Sequence, residues 1–189
     1  MSCIAIIPAR GGSVRIPRKN IKLFHGQPML WYPIQAARAS GLFRRIIVST
    51  DDAQIDAIAQ QCGAEPFMRY PDDGTRGTQD VAREVLLTLP DVMEACVIYP
   101  CSPLLLPEDL ILSREDLQPE FDYVMSVQAD PLADAGCFYW GWNQSFVDGV
   151  PLIGQNTRMY PLPPERCCDI NTPDDWSRAE KLYEAMRNG

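Results

Sequence analysis

Residues 4–20 read IAIIPARGGSVRIPRKN, and this stretch indicates the fold of the chain. It begins with a short apolar run that is typical of a buried strand and stops at Pro8. Gly11 and Gly12 follow, and a glycine backbone can present its amide groups to a ligand. A glycine loop directly after a buried first strand predicts an α/β protein whose ligand lies at the end of that strand.

Cations are concentrated on this loop, although the chain as a whole is acidic. Five lie within thirteen residues: Arg10, Arg15, Arg18, Lys19 and Lys22. The chain carries 17 Lys+Arg against 25 Asp+Glu, a formal net charge of -8. We therefore expect the loop to bind a compact polyanion such as triphosphate, because amides, guanidinium groups and ammonium groups all suit phosphate oxygens. The alternative is a basic surface loop without a ligand.

The bulk properties predict a globular, cytoplasmic protein. A chain of 189 residues, 46% hydrophobic, fits one domain over residues 1–189 and can bury a sizeable core. No apolar stretch approaches the roughly 20 residues of a membrane span, and no signal-peptide core precedes the first strand. The pI near 4.6 argues against a nucleic-acid partner.

Strand and helix patterns alternate along the chain, which predicts a Rossmann-like three-layer sandwich with a mostly parallel sheet. Strands are predicted at 4–7, 45–50, 65–68, 95–99, 123–127 and 136–141. Helices are predicted at 28–40, 51–62, 78–89 and 107–117, with a last helix from Thr172 onward. Residues 72–74 are predicted as a loop, and the proline-rich residues 142–168 do not indicate a clear pattern.

The seven cysteines are predicted to be small buried residues and not disulfides. Cys167 and Cys168 are adjacent, but no C-x-x-C spacing accompanies them, so a zinc site is not expected. His25, the single histidine, lies in a predicted turn.

An acidic segment near the end of the chain, Asp169 to Trp176, is the candidate metal site. In an extended segment alternate side chains share a face, which would place Asp169 beside Asn171. Mg²⁺, which prefers oxygen ligands and commonly accompanies a triphosphate, would fit there. Asp169 could equally be a loop acid. Asp174 and Asp175 are expected to favour the first turn of the last helix, and the Asp51-Asp52 pair to cap the second helix.

Several motifs in sequence order resemble those of the acylneuraminate cytidylyltransferases, which make CMP-sialic acids. They are the loop at 4–20, the strand at 43–52, Arg69 in its Phe-Met-Arg-Tyr-Pro context, the helix start at 77–81 and the acidic turn at 169–176. Three details resemble the pseudaminic acid branch: Tyr99-Pro100, residues 134–141 and residues 162–166. The resemblance covers almost the whole chain, and it implies the nucleotide-diphospho-sugar transferase type of fold.

The resemblance also implies a reaction and the residues that perform it. A nonulosonic acid would attack the α-phosphorus of CTP, giving a CMP-sugar and pyrophosphate with Mg²⁺. The resemblance implies that Arg10 and the amides of Gly11, Gly12 and Ser13 bind phosphate and that Lys19 neutralises charge. It implies nucleoside contacts for Asn20, Arg69 and Thr78 and substrate contacts for Tyr99 and Pro100. Asp169 and Asn171 would bind the metal, and Arg166 would bind the sugar carboxylate.

Three departures from the family pattern leave alternatives open. Val14 stands where the family loop carries a lysine, a loss for which Arg15 or Arg18 would compensate. Asn171 stands where a second metal-binding aspartate is expected. The segment around residues 128–134 is short, whereas related enzymes have a longer one that forms the sugar pocket and a homodimer contact. The alternatives are therefore a nucleotide-binding homologue with little catalysis, or an enzyme for a sialic, legionaminic or 3-deoxy-octulosonic acid. The aromatic run at 138–140 would line an acceptor pocket or belong to the core.

Overall fold

The computed structural model describes residues 2–71 and 75–188. The strands are β1 (Cys3–Pro8), β2 (Leu23–Phe24), β3 (Gln27–Pro28), β4 (Arg45–Thr50), β5 (Glu65–Met68), β6 (Glu94–Ile98), β7 (Tyr123–Gln128), β8 (Ala133–Trp142) and β9 (Thr157–Leu162). The helices are α1 (Trp31–Ser40), α2 (Ala53–Gln61), α3 (Thr78–Leu87), α4 (Pro107–Glu115), α5 (Asn143–Val147) and α6 (Pro173–Asn188). The loop predicted at 72–74 lies outside the described residues.

Seven of these strands form one sheet in the order β5-β4-β1-β6-β8-β7-β9. β1 lies near the centre and pairs in parallel with both β4 and β6. β8 is antiparallel to its neighbours β6 and β7, and the remaining pairs are parallel. The predicted α/β fold with a mostly parallel sheet is therefore confirmed.

Helices cover both faces of the sheet, which gives the three predicted layers. Apolar side chains of α1, α2 and α4 pack with one face, where Ile34, Ile55 and Leu110 are buried. α3 and α5 contribute Val85 and Phe146 to the other. Burial on both faces explains the continuous apolar run of β1, all six residues of which are buried.

The aromatic run in β8 belongs to this core. Phe138, Tyr139 and Trp140 are fully buried, and the indole Nε1 of Trp140 donates to Oγ of Ser113 on α4 at 3.0 Å. These side chains therefore do not form the wall of an acceptor pocket. The alternation along β8 sends Phe138 and Trp140 to one face and Tyr139 to the other.

The first helix begins later than predicted. Instead of starting at residue 28, α1 starts at Trp31, because Gln27 and Pro28 pair with β2 in a small antiparallel hairpin. The hairpin and α6 share a third apolar cluster that contains Phe24 and Trp176. His25 lies in the hairpin turn with a φ of 43°, in agreement with its predicted position.

Residues 142–168, which indicated no clear pattern, contain α5, the edge strand β9 and a 3-10 turn at Pro164–Arg166. β7 and β8 are joined directly by residues 129–132, so the short middle segment is the turn of a hairpin. All seven cysteines are free and buried, as predicted. Within the described ranges, no helix combines the length and apolar character that crossing a membrane requires.

Candidate active site

A cleft of about 440 Å³ opens where β1, β5 and β6 end, at the carboxyl edge of the parallel strands. Ligands of open α/β sheets bind at this edge, because the loops that follow parallel strands converge there. Most of the residues singled out from the sequence line this cleft: Arg10, Ser13, Lys19, Asn20, Arg69, Thr78, Tyr99, Pro100, Asp169 and Asn171.

Asp51 and Asp52, the two acids that follow β4, both accept hydrogen bonds from residues of the glycine loop. The amide of Gly11 donates to Oδ1 of Asp51 at 2.8 Å, so it points away from the position predicted for phosphate. Asp52 caps α2 as predicted, accepting from the amides of Gln54 and Ile55. Asp51, by contrast, does not cap the helix. Gly12 has open space around its Cα and stays at the surface of the loop.

Two loop cations reach across the cleft to the acidic turn. The ammonium of Lys19 donates to the main-chain carbonyl of Ile170. The guanidinium Nη2 of Arg15 donates to Oδ1 of Asn171 at 3.1 Å. Both contacts bring positive charge beside Asp169, so an anion in the cleft would meet cations from the loop and an acid from the turn.

Of the two candidates to replace the missing lysine, only Arg15 lines the cleft. Val14 is 89% exposed and brings no charge. Arg18 is turned away and forms a two-pronged ion pair with Asp52 through Nη1 and Nη2. Arg18 is thus engaged outside the cleft, and the expectation that it compensates for Val14 is not supported.

Asn20 is buried, and both ends of its side-chain amide are hydrogen-bonded within the protein. Its Nδ2 donates to the main-chain carbonyl of Arg10 at 2.9 Å, and its Oδ1 accepts from Sγ of Cys101 at 3.3 Å. This side chain therefore holds the start of the glycine loop beside the end of β6, where the sequence suggested a nucleoside contact.

The opposite wall consists of the residues after β5 and the first turn of α3. Arg69, Gly77 and Thr78 line it, and Arg69 is 6% exposed. Oγ1 of Thr78 accepts from the buried hydroxyl of Tyr139 at 2.9 Å. Arg76 also lines the cleft and pairs with Glu84, although the sequence did not single it out. The sequence signal that could have identified Arg76 is its position directly before Gly77, the residue that caps α3.

The acidic turn is organised by Asp175 at the start of α6. Its Oδ2 accepts from the amides of Asn171 and Thr172 and from the hydroxyl of Thr172, and these bonds lower the pKa of Asp175. Its predicted role in the first turn of the last helix is confirmed. Asn171 lies between Arg15 and Asp169, and its Nδ2 donates to Asp169.

A second acid that the sequence did not single out, Asp134, lies close to Asp169. Its Oδ1 accepts from the amide of Gly136 at 2.7 Å, and a Cβ on Gly136 would lie 3.0 Å from Asp169. Partial desolvation and then the charge of Asp169 raise the pKa of Asp134. Burial, and next the charge of Asp134, raise the pKa of Tyr99 at the same edge to about 12.

This donor set fits a divalent cation of the magnesium type. Among the described residues no three His, Cys, Asp or Glu side chains form a metal-binding group. Mg²⁺ in nucleotide sites commonly uses only one or two carboxylates and takes its other ligands from phosphates and water. Asp169 provides such a carboxylate, and Asp134 lies near it.

Gly11, Gly12 and Arg166 are predicted site residues that do not line the cleft, and Arg166 is engaged at another place in the fold. Its Nη2 donates to Oδ1 of Asp109 at 2.7 Å, and the Asp109 side chain is only 3% exposed. Arg166 does not line the cleft, because it neutralises this buried acid at the start of α4. The expected contact with a sugar carboxylate is therefore not supported.

Comparisons with known proteins agree with this geometry. A family model described as "Cytidylyltransferase" matches residues 4–137. The pseudaminic acid cytidylyltransferase of Campylobacter jejuni (strain 81-176) is 31% identical over 225 aligned positions, covering 97% of each chain. The CMP-N,N'-diacetyllegionaminic acid synthase of Legionella pneumophila is 30% identical, again with 97% of each chain covered.

The fold also matches solved structures. A CMP:2-keto-3-deoxy-manno-octonic acid synthetase complexed with CTP superposes with a TM-score of 0.82. The match covers 98% of this chain and 100% of that one at 15% sequence identity, and it therefore supports the fold.

Proposed function

The chain belongs to the cytidylyltransferase family, and from that premise we propose that it transfers CMP from CTP to a nonulosonic acid of the pseudaminic acid type. The products would be a CMP-sugar and pyrophosphate. The observation that carries the proposal is one cleft in which Arg10, Arg15 and Lys19 face Asp169 at the carboxyl ends of β1 and β6. Cations for a triphosphate and an acid for its metal ion are thus in one place.

We assign the triphosphate to the glycine-loop side of the cleft. Arg10 and Arg15 supply guanidinium groups there, and Ser13 supplies its hydroxyl, because its amide already donates to the carbonyl of Gly11 at 3.0 Å. Asn20 fixes the main chain of Arg10 and so orients the first of these cations. The nucleoside would lie toward Arg69, Thr78, Tyr99 and Pro100 on the far wall.

Lys19 is the residue best placed to act in the chemical step. Its contact with the Ile170 carbonyl holds the ammonium between the loop and the acidic turn, beside Asp169. Negative charge builds on the α-phosphate oxygens and on the leaving pyrophosphate during the transfer. A fixed ammonium that stabilises this charge lowers the barrier more than it strengthens binding of CTP.

Mg²⁺ is the proposed metal, with Asp169 as the residue that would hold it and Asn171 and Asp134 beside it. When bound, the ion would neutralise phosphate charge and polarise the phosphoryl group. Asn171 can offer only an uncharged amide oxygen, and that oxygen accepts from Arg15 here. We place the acceptor hydroxyl on the side of the cleft near Gly136, which lines the cleft beside Asp169.

The choice of acceptor rests on the relatives and on the residues of the pseudaminic branch. The alignment with the Campylobacter relative spans 225 positions, whereas this chain has 189 residues. The direct β7–β8 hairpin agrees with the absence of a longer segment in this chain. A legionaminic, sialic or 3-deoxy-octulosonic acid is the alternative acceptor. The homodimer and the cytoplasmic location both stay predictions.

A second candidate is a nucleotide-binding homologue with little catalysis, which Asn171 and the short hairpin favour. The experiment that separates the two is pyrophosphate release from CTP and Mg²⁺ with a panel of acids that includes pseudaminic acid. Release with one acid establishes the transferase and its acceptor together. CTP binding by calorimetry without release with any acid would support the binding homologue.

A further inference from the structure

Two acids under the glycine loop contact it at both of its ends. Asp51 accepts the amide of Gly11 at 2.8 Å near the beginning of the loop. Near the end of the loop, Asp52 accepts hydrogen bonds from Nη1 of Arg18 and, at 3.0 Å, from Nη2 of Arg18. Both acids follow β4, which pairs in parallel with β1 through Pro8, directly before the loop. The loop is therefore anchored to the neighbouring strand from below.

The approach of Asp52 to the loop is close. A Cβ built on Gly11 would lie 2.6 Å from Oδ2 and 2.9 Å from Cβ of Asp52, so only glycine fits at position 11. Arg18 also donates to Oε1 of Gln54 at 2.6 Å and has a left-handed backbone with a φ of 56°. Its guanidinium is thus held at the acid and away from the cleft.

The position of Asp52 would weaken phosphate binding by charge repulsion, and the ion pair with Arg18 offsets this repulsion. A carboxylate directly beneath a loop that binds phosphate repels the phosphate charge. An unpaired unit charge within about 10 Å of a triphosphate changes affinity by roughly tenfold at the effective dielectric of a protein surface. The pairing with Arg18 makes Asp52 close to neutral as seen from the cleft.

We propose that Asp51 and Asp52 are positioning residues for nucleotide binding: Asp51 fixes the glycine loop through the Gly11 amide, and Asp52 anchors its end through Arg18, which cancels the repulsion of the acid. None of the three side chains lines the cleft. The inference rests on the proposed function, because it assumes that CTP occupies the cleft.

The first test measures CTP affinity by calorimetry in three variants. Arg18→Gln leaves Asp52 without its charge partner and is expected to weaken CTP binding about tenfold. Adding Asp52→Asn to Arg18→Gln removes the uncompensated charge and is expected to restore most of the affinity, since asparagine still caps α2. Arg45→Gln is the matched control, because it opens the Arg45–Glu65 pair, which lies outside the cleft.

Salt dependence separates this effect from a loss of structure. The weakening by Arg18→Gln should shrink when salt is raised from about 0.05 M to about 0.5 M, because salt screens the repulsion between Asp52 and phosphate. A weakening that is independent of salt, or that the second substitution fails to restore, would overturn the role of Arg18.

The second test concerns Asp51 and does not depend on Arg18. Asp51→Asn keeps an oxygen for the Gly11 amide, whereas Asp51→Ala removes it. We expect roughly fivefold weaker CTP binding for Asp51→Ala and little change for Asp51→Asn. Equal affinities for both variants, or tighter binding in both, would show that Asp51 does not position the loop.

The unaltered protein distinguishes failure of this inference from failure of the proposed function. If it does not bind CTP at all, the proposed function is wrong. If it binds CTP and the variants behave alike, the cytidylyltransferase assignment stands and the positioning role of the two acids is refuted.

Discussion

Asp169 packs directly against the main chain of Gly136, a residue of β8 that is 33 positions earlier in the sequence. A Cβ built on Gly136 would lie 3.0 Å from Cβ, 3.1 Å from Cγ and 3.3 Å from Oδ1 of Asp169. Gly136 also has a φ of 63°, a conformation that side chains disfavour. The acid proposed to hold the metal therefore depends on a glycine in another strand for its position.

We expect Gly136→Ala to lower turnover by roughly 10- to 100-fold, because the new methyl group displaces Asp169 by part of an ångström. Gly149→Ala is the matched control: its φ is 71°, but no atom lies within 4 Å of the added methyl group. Both variants should lose about 1 kcal/mol of stability from backbone strain. Steady-state kinetics and thermal unfolding of the pair measure the difference, and equal turnover in both would contradict the packing argument.

Lys19→Ala should reduce kcat by about 10²- to 10³-fold and weaken CTP binding by less than about tenfold. The reason is that the ammonium beside Ile170 acts on charge that develops only in the transition state. Single-turnover kinetics and CTP calorimetry separate the two effects. Lys181→Ala, on the exposed side of α6, is the control. Unchanged turnover would remove Lys19 from the mechanism.

Asn171→Asp should lower the Mg²⁺ concentration that gives half-maximal rate, since it adds a charged ligand beside Asp169. A direct titration of Mg²⁺ binding provides a second readout that does not depend on turnover. Asn156→Asp is the control, because Nδ2 of Asn156 also donates to an acid, Asp122, but outside the cleft. An unchanged Mg²⁺ requirement would show that residue 171 does not contact the metal.

Arg166→Met should destabilise the protein by roughly 3 kcal/mol, because it leaves the buried carboxyl of Asp109 without its cation. Combining it with Asp109→Asn should recover part of that loss, since the unpaired charge is then gone. Urea unfolding of the single and double variants measures both. A normal unfolding midpoint together with a raised KM for the acid sugar would instead favour the sugar contact suggested by the sequence.

Acid stability should depend on Asp52. The hydrogen bonds from Arg18, more than those from the α2 amides, hold its pKa at about 2, below the ordinary value of 3.8. A lowered pKa stabilises the folded state above pH 3.8, and this contribution disappears as the pH falls through about 2. The free energy of unfolding of the unaltered protein should therefore exceed that of Asp52→Asn by roughly 1–2 kcal/mol at pH 6. At pH 2 the two free energies should be almost equal. Denaturant unfolding across this range tests it, and a constant difference would contradict the assignment.

Local patterns were sufficient for the strands of the sheet other than β9 and for most helices. β4 and β5 occur at the predicted residues because a short apolar or β-branched run between turn signals has few other solutions. α1 was predicted three residues too early, because the pairing of Pro28 with Leu23 is a contact that helix periodicity does not reveal. β9 was missed because it contains Pro161, and α5 was missed because five residues are too few to show a helical period.

The candidate site was predictable in its residue types and less so in its pairings. The order of the motifs predicted that Arg10, Lys19 and Asp169 belong to one site, and all three line the same cleft. The partners of Arg18 and Arg166, which are 34 and 57 positions away in sequence, follow from the way the strands assemble. Asp134 was overlooked as a site residue for the same reason, since its nearness to Asp169 depends on the β7–β8 hairpin.

The burial of the cysteines has a practical consequence for following ligand binding. Burial raises the pKa of each of the seven thiols and shields them from alkylating reagents. Val14 lies at the rim of the cleft and is 89% exposed. A Val14→Cys variant would therefore take up a maleimide fluorophore selectively at the cleft, without prior removal of the native cysteines, and would report nucleotide arrival as a change in emission.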